Sequence, residues 1–107
     1  MSSPTVWIRK SLIIGNNVNF GGGTIVLDSD AHSLNYLDRR NGVKDMANRV
    51  DKGINIDDDV LIGMNTIILK GVHIGARSII GAGSVVTKDV PCDCIAARNP
   101  AKVIKKL

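Results

Sequence analysis

Aromatic side chains are nearly missing from this sequence: one Trp, one Tyr and one Phe make up 3% of 107 residues. Compact domains commonly fill their cores with large rings, so this chain must fill its interior with aliphatic side chains stacked in some regular way. The same shortage argues against a nucleic-acid partner, because single-strand binders build platforms from aromatic rings. Cysteine is scarce too. Cys92 and Cys94 stand one residue apart, which matches neither a disulfide framework nor spaced metal ligands. No charged-then-apolar leader opens the sequence, and no apolar run approaches the roughly 20 residues that span a bilayer. Membrane insertion is therefore not expected, and a cytoplasmic location is. The length allows one domain, residues 1–107, and excludes a multi-domain enzyme.

What is present is ordinary in amount and unusual in order. Hydrophobic residues are 44% of the chain, and 14 Lys and Arg against 10 Asp and Glu leave a net charge of +4, compatible with an anionic ligand. The order has a period of six. Ile56, Ile62, Ile68, Ile74, Ile80 and Val86 form one train, and Ile8, Ile14, Phe20 and Val26 form a second. Gly follows the aliphatic residue at Gly15, Gly63, Gly75 and Gly81, and Val18, Thr24, Val60, Thr66, Val72, Ser78, Ser84 and Val90 stand four places after it. A helix would recur near 3.6 and a plain strand at 2, so neither explains the trains. Six-residue units, each a short strand and a corner, wind instead into a three-sided solenoid with one aliphatic side chain per unit aimed at the axis. On this reading glycine follows the aliphatic residue because the corners strain the backbone.

Two stretches leave the repeat. Residues 28–53, DSDAHSLNYLDRRNGVKDMANRVDKG, carry no train and read as a loop excursion, which at that length inside a compact domain is usually functional or disordered. After Pro91 the tail PCDCIAARNPAKVIKKL also departs over 92–107, and Pro100 with Ile104 and Leu107 on one face predicts a short capping helix over 101–106.

The run IDDDVLIGMNTIILKGVHIGARSIIGAGSVVTKDVP, the tail NPAKVIKK and the His within DSDAHS together resemble the hexapeptide-repeat acyltransferases, in their galactoside, maltose and polysaccharide O-acetyltransferase branch. That resemblance covers almost the whole chain. It implies an all-β fold, a left-handed parallel β-helix of triangular section, against the usual right-handed crossover of parallel strands. It also implies a homotrimer with active sites between subunits, acetyl-CoA as co-substrate and a small-molecule or saccharide acceptor. The helical N-terminal segment common in such proteins is expected to be absent, since the repeat starts by Ile8.

Acyl transfer from a thioester to a hydroxyl needs a base, donors for the developing oxyanion and a seat for the coenzyme. His32 is the candidate base, since an ordinary imidazole is neutral near pH 7 and can take and return a proton. Asp28 or Asp30 is expected to orient it or to cap a turn. By resemblance, the backbone N–H of Met64 is the oxyanion donor; Gly63, Ala82, Thr87 and Lys88 line the coenzyme groove; Lys102 and Lys105 meet the nucleotide phosphates. Asn17, Asn19, Arg39 and Arg40 are polar groups placed near the excursion and are candidates for acceptor binding. His73 reads as a solvated outer-face residue. With only these two histidines in the chain, a three-His zinc site is disfavoured and no metal is expected.

Two positions depart from the family pattern. Leu61 stands where relatives carry a Trp against the pantetheine, and Arg98 stands where they have Gly, a strained place for Arg if positive φ is required. The alternatives to a sugar O-acetyltransferase are an N-acyltransferase on an amino sugar and a non-catalytic trimeric scaffold or ligand-binding module.

Overall fold

The computed structural model describes residues 4–107. The chain runs β1 (Thr5–Trp7), β2 (Leu12–Ile14), β3 (Asn19–Phe20) and β4 (Ile25–Leu27), then α1 (Tyr36–Arg39) and α2 (Gly42–Asn48). It returns through β5 (Ile54–Ile56), β6 (Leu61–Ile62), β7 (Ile67–Ile68), β8 (His73–Ile74), β9 (Ile79–Ile80), β10 (Val85–Val86), β11 (Cys94–Ala97) and β12 (Lys102–Lys106). From β1 to β7 each strand that pairs forward does so in parallel with the third strand after it, and β9 pairs with β11, giving a first face β1-β4-β7-β10, a second face β2-β5-β8 and a third face β3-β6-β9-β11. A bridge from Ile74 to Val90 extends the second face. A chain that visits three parallel sheets in rotation is a three-sided parallel β-helix, as the sixfold spacing requires. Among the described residues, no helix is long and apolar enough to cross a membrane.

The interior follows the trains. Ile56, Ile62, Ile68, Ile74, Ile80 and Val86 are each at most 1% exposed, and every residue four places on, from Val18 to Val90, is buried. The train from Ile8 to Val26 differs at its start. Ile14 is 40% exposed because β2 pairs only with β5 and nothing among the described residues stacks on its other edge. Buried hydroxyls at the fourth place are satisfied by corner carbonyls: Thr24 Oγ1 donates to Gly21 O and Thr66 Oγ1 to Gly63 O, both at 2.8 Å, and Ser84 Oγ to Gly81 O at 2.6 Å.

The expected reason for the glycines needs correction. Positive φ falls three places after the aliphatic residue, at Asn17, Gly23, Asp59, Asn65, Gly71, Arg77 and Gly83, and not at the glycine that follows it directly. That glycine serves close approach instead. A Cβ on Gly63 would press on the Ala82 backbone, and one on Gly75 on the Cys92 backbone, in the next coil.

The tail also differs from expectation. Residues 102–106 form no helix; they are β12, antiparallel to β11, with pairs Ala97↔Lys102, Ala96↔Val103 and Ile95↔Lys105. So short a segment gains little as an isolated helix, whereas β11 offers an open row of backbone donors and acceptors at the end of the third face. Ile104 is skipped in the register as a bulge, which shifts the alternation by one. Lys102 and Lys105 therefore share the outward face of Ala97 and Ile95. Arg98, in the turn between the two strands, has φ +90°, the conformation its glycine-like place predicts. Cys92 and Cys94 are free thiols, the first exposed and the second buried.

Neighbouring residues of β6 test this assignment, since Ile62 is fully buried and Leu61 is 46% exposed. Urea denaturation should show Ile62→Ala losing about 2–5 kcal/mol and Leu61→Ala less than about 1 kcal/mol. Equal losses would contradict the inward and outward alternation.

Candidate active site

The excursion leaves the edge between the first and second faces and is rooted by carboxylates. Asp28, fully buried, accepts the N–H groups of Arg9 at 2.8 Å, Lys10 at 2.6 Å and Ser11 at 2.9 Å. Burial alone pushes the Asp28 carboxyl up, but these donors together with its own N–H hold it below the ordinary range. Ser29 and Asp51 form an antiparallel bridge at the root, and Lys70 of the next coil holds Asp30 at 2.9 Å. Beyond the root the segment is helical where a plain loop was expected: Asn35 caps α1 by accepting from Leu37 N, and Asn41 caps α2 by accepting from Val43 N and Lys44 N.

This folding brings His32 onto Asp45, a residue of α2. His32 Nδ1 lies 2.6 Å from Asp45 Oδ2, and Ser33 N donates to Asp45 Oδ1 at 2.7 Å. The imidazole holds the Asp45 carboxyl below its ordinary pKa, helped by the Ser33 amide. An ionised carboxylate can only accept, so Nδ1 is the donor of this bond, and in the neutral ring Nε2 is the acceptor. The imidazole is 68% exposed while the Asp45 side chain is 11% exposed, which fixes the ring at one end and leaves the other open.

The orienting carboxylate is thus Asp45; Asp28 and Asp30, the two expected from sequence, are engaged elsewhere. Asp45 was missed because α2 was missed; its signal is Asn41, a strong N-cap four residues earlier. Arg39 braces the excursion, donating to the Ser33 and Leu34 carbonyls at 3.1 and 3.2 Å. Arg40 lies over the Tyr36 ring, 5.4 Å from its centroid. Asn17 and Asn19 are not beside the excursion: Asn17 turns the corner between the second and third faces, and Asn19 is exposed on β3. His73 is exposed on β8 as expected, with Nε2 2.8 Å from Asp57 Oδ2.

The remaining candidates divide between two edges. Thr87 and Lys88 follow β10 on the edge that carries His32, whereas Gly63, Met64 and Ala82 lie on the edge from the third face to the first. Among the backbone hydrogen bonds of the described residues, none uses the Met64 N–H. One chain therefore does not bring His32 and Met64 together.

The dyad has a pH signature. Asp45 is lowered in the folded chain, so the stability it contributes is complete above the unfolded carboxyl value of roughly 4 and is lost as pH falls through the lower folded value. In a carboxyl NMR titration the Asp45 midpoint should rise in His32→Ala; an unchanged midpoint would remove the proposed contact.

Residues 53–88 match the family model for the bacterial transferase hexapeptide, six repeats. The galactoside O-acetyltransferase of Lactococcus lactis is 35% identical over 90% of this chain and 44% of its own length. A hexapeptide-repeat containing acetyltransferase of Vibrio cholerae superposes with a TM-score of 0.74 at 30% identity, over 98% of this chain and 71% of that one. A galactoside acetyltransferase in complex with coenzyme A superposes with a TM-score of 0.87 at 34% identity, over 96% of this chain and 48% of that one. The chain thus spans about half the length of the curated relative it matches. The sixfold coil, its corner residues and these likenesses place the chain in the hexapeptide-repeat transferase family.

Proposed function

We propose that this protein is an acetyltransferase that moves the acetyl group of acetyl-CoA to a sugar hydroxyl, at sites shared between copies in a homotrimer with left-handed coils. The observation that carries the reading is the His32–Asp45 pair, a base with one nitrogen fixed on a buried carboxylate and the other open. Its separation from Met64 on another edge supports a site completed by a second copy. The family likeness, including a relative solved with coenzyme A, supports the donor.

In this mechanism His32 Nε2 takes the proton of the acceptor hydroxyl as its oxygen attacks the thioester carbonyl carbon. The carbonyl electron pair moves onto oxygen, and the Met64 N–H of a neighbouring copy stabilises that charge. Collapse expels the thiolate, which takes the proton back from the imidazolium, leaving an ester and a free thiol. Asp45 stabilises the imidazolium and keeps Nδ1 protonated throughout. Small residues at Gly63 and Ala82 on one prism, with Thr87 and Lys88 on the next, leave room for the pantetheine arm. Leu61, exposed and apolar, stands in for the larger ring of relatives, and Lys102 and Lys105 on their shared face supply cations for the phosphates.

Two measurements test this. His32→Ala should slow acceptor-dependent thiol release by about 100-fold while the protein stays folded at the assay temperature; equal rates would overturn the role of His32, and release of thiol only with amino sugars would reassign the reaction to N-transfer. Ala82 is exposed, so Ala82→Trp can block the groove without touching the core. Neither variant alone should exceed about a hundredth of the wild-type rate. Mixed subunits of His32→Ala and Ala82→Trp should regain about a quarter of the wild-type sites if each site spans two copies, and none if it lies within one.

A further inference from the structure

A cavity of about 230 Å³ opens where the first strand meets the root of the excursion, lined by Trp7, Ile8, Arg9, Leu27, Ser29 and Ala31. It is smaller than the roughly 300–1,000 Å³ typical of drug-sized sites, a scale suited to one sugar ring. Trp7 is the only Trp of the chain. It pairs with Leu27 on the outward side of the first face and is 66% exposed, a large area for an indole to leave in water without a partner. Ala31 directly precedes His32 and turns the chain there with φ +65°. The Arg9 amide is tied to buried Asp28, so cavity and imidazole hang from one fixed root.

Charge at this cavity is one-sided. Arg9 is exposed, and its side chain is in none of the ion pairs found among the described residues. Of the nearby carboxylates, Asp28 is ionised but fully buried, with its oxygens taken up by three backbone N–H groups, Asp30 is paired with Lys70, and Asp51, bridged to Ser29, is paired with Arg49. An exposed guanidinium beside an apolar ring, outside every ion pair found among the described residues, favours a ligand that has both an apolar face and a negative group.

We propose that this cavity is the acceptor subsite and that it selects a sugar bearing an anionic group. Trp7 stacks on the C–H face of the ring, Arg9 binds the carboxylate or phosphate, and the hydroxyl to be acylated reaches His32. The assignment of the cavity to the acceptor rests on the acetyltransferase reading.

The test compares a neutral hexose, the matching hexuronic acid and the matching hexose phosphate, by thiol release from acetyl-CoA and by titration of Trp7 fluorescence, which reports binding without turnover. Wild type should favour an anionic sugar over the neutral one by about tenfold or more in kcat/KM, and the two anions distinguish carboxylate from phosphate recognition. Arg9→Gln should abolish that preference while changing the neutral sugar less than about twofold and leaving the KM for acetyl-CoA unchanged. Trp7→Ala should raise KM for every acceptor by about fivefold. Turnover with no charge preference, or a preference that survives Arg9→Gln, overturns the subsite and leaves the enzyme reading standing. If no acceptor gives turnover, that reading fails, and the titration still decides: a saturable change with the anionic sugar, lost in Arg9→Gln, supports the subsite, and no change overturns it.

Discussion

Successive coils stack in register only because each corner leaves space for the corner beside it. Gly63 and Gly75 lie so close to the next coil that any side chain would displace backbone, and the residue two places later takes the left-handed conformation that completes the turn. With the corners fixed, the aliphatic residue of every unit meets its counterpart one coil on, as Ile62 meets Ile80 and Ile56 meets Ile74. Burial of that ladder is the chief stabilising term, and it depends on the corner geometry at every step.

The same constraint makes edges the natural location for chemistry. Strand interiors are committed to backbone pairing and core contacts, whereas corners expose N–H groups and accept insertions. Along the edge from the third face to the first, Thr24, Thr66 and Ser84 lock each corner through its carbonyl, so the Met64 amide is held on a rigid frame. The other edge carries the excursion, and three of its carboxylates have separate tasks set by their neighbours. Asp28 gathers backbone donors, Asp30 pins the root to Lys70, and Asp45 orients His32.

How far the sequence could be read follows from the range of the interactions involved. The coil was legible because its cause is local and repeated: each six-residue unit states its own inward residue and corner. The limits of the excursion, between Leu27 and Ile54, were legible as a break in that rhythm. Helix α2 was obscured because it is seven residues long and buries only Asp45, so it has no apolar stripe to announce it; its single local mark is the Asn41 cap. The tail was misread because Ile104 and Leu107 fit a helical face as well as a strand, and the choice belongs to the open edge of β11, which no local pattern encodes. Cationic Lys102 and Lys105 ended on one face nonetheless, through a bulge at Ile104 that spacing alone does not reveal.

By itself the sequence determined the period, and hence the three faces and the buried ladder, because each depends on residue type at fixed short spacing, whereas His32 became the candidate base through the family resemblance. Only the tertiary structure decided which carboxylate holds that base, since Asp28, Asp30 and Asp45 are chemically alike and differ in which donors the folded chain brings to them. It also decided that His32 and the Met64 amide stand on different edges of one prism. That separation arises from the rotation of the chain through three sheets, which converts a distance along the sequence into a direction in space.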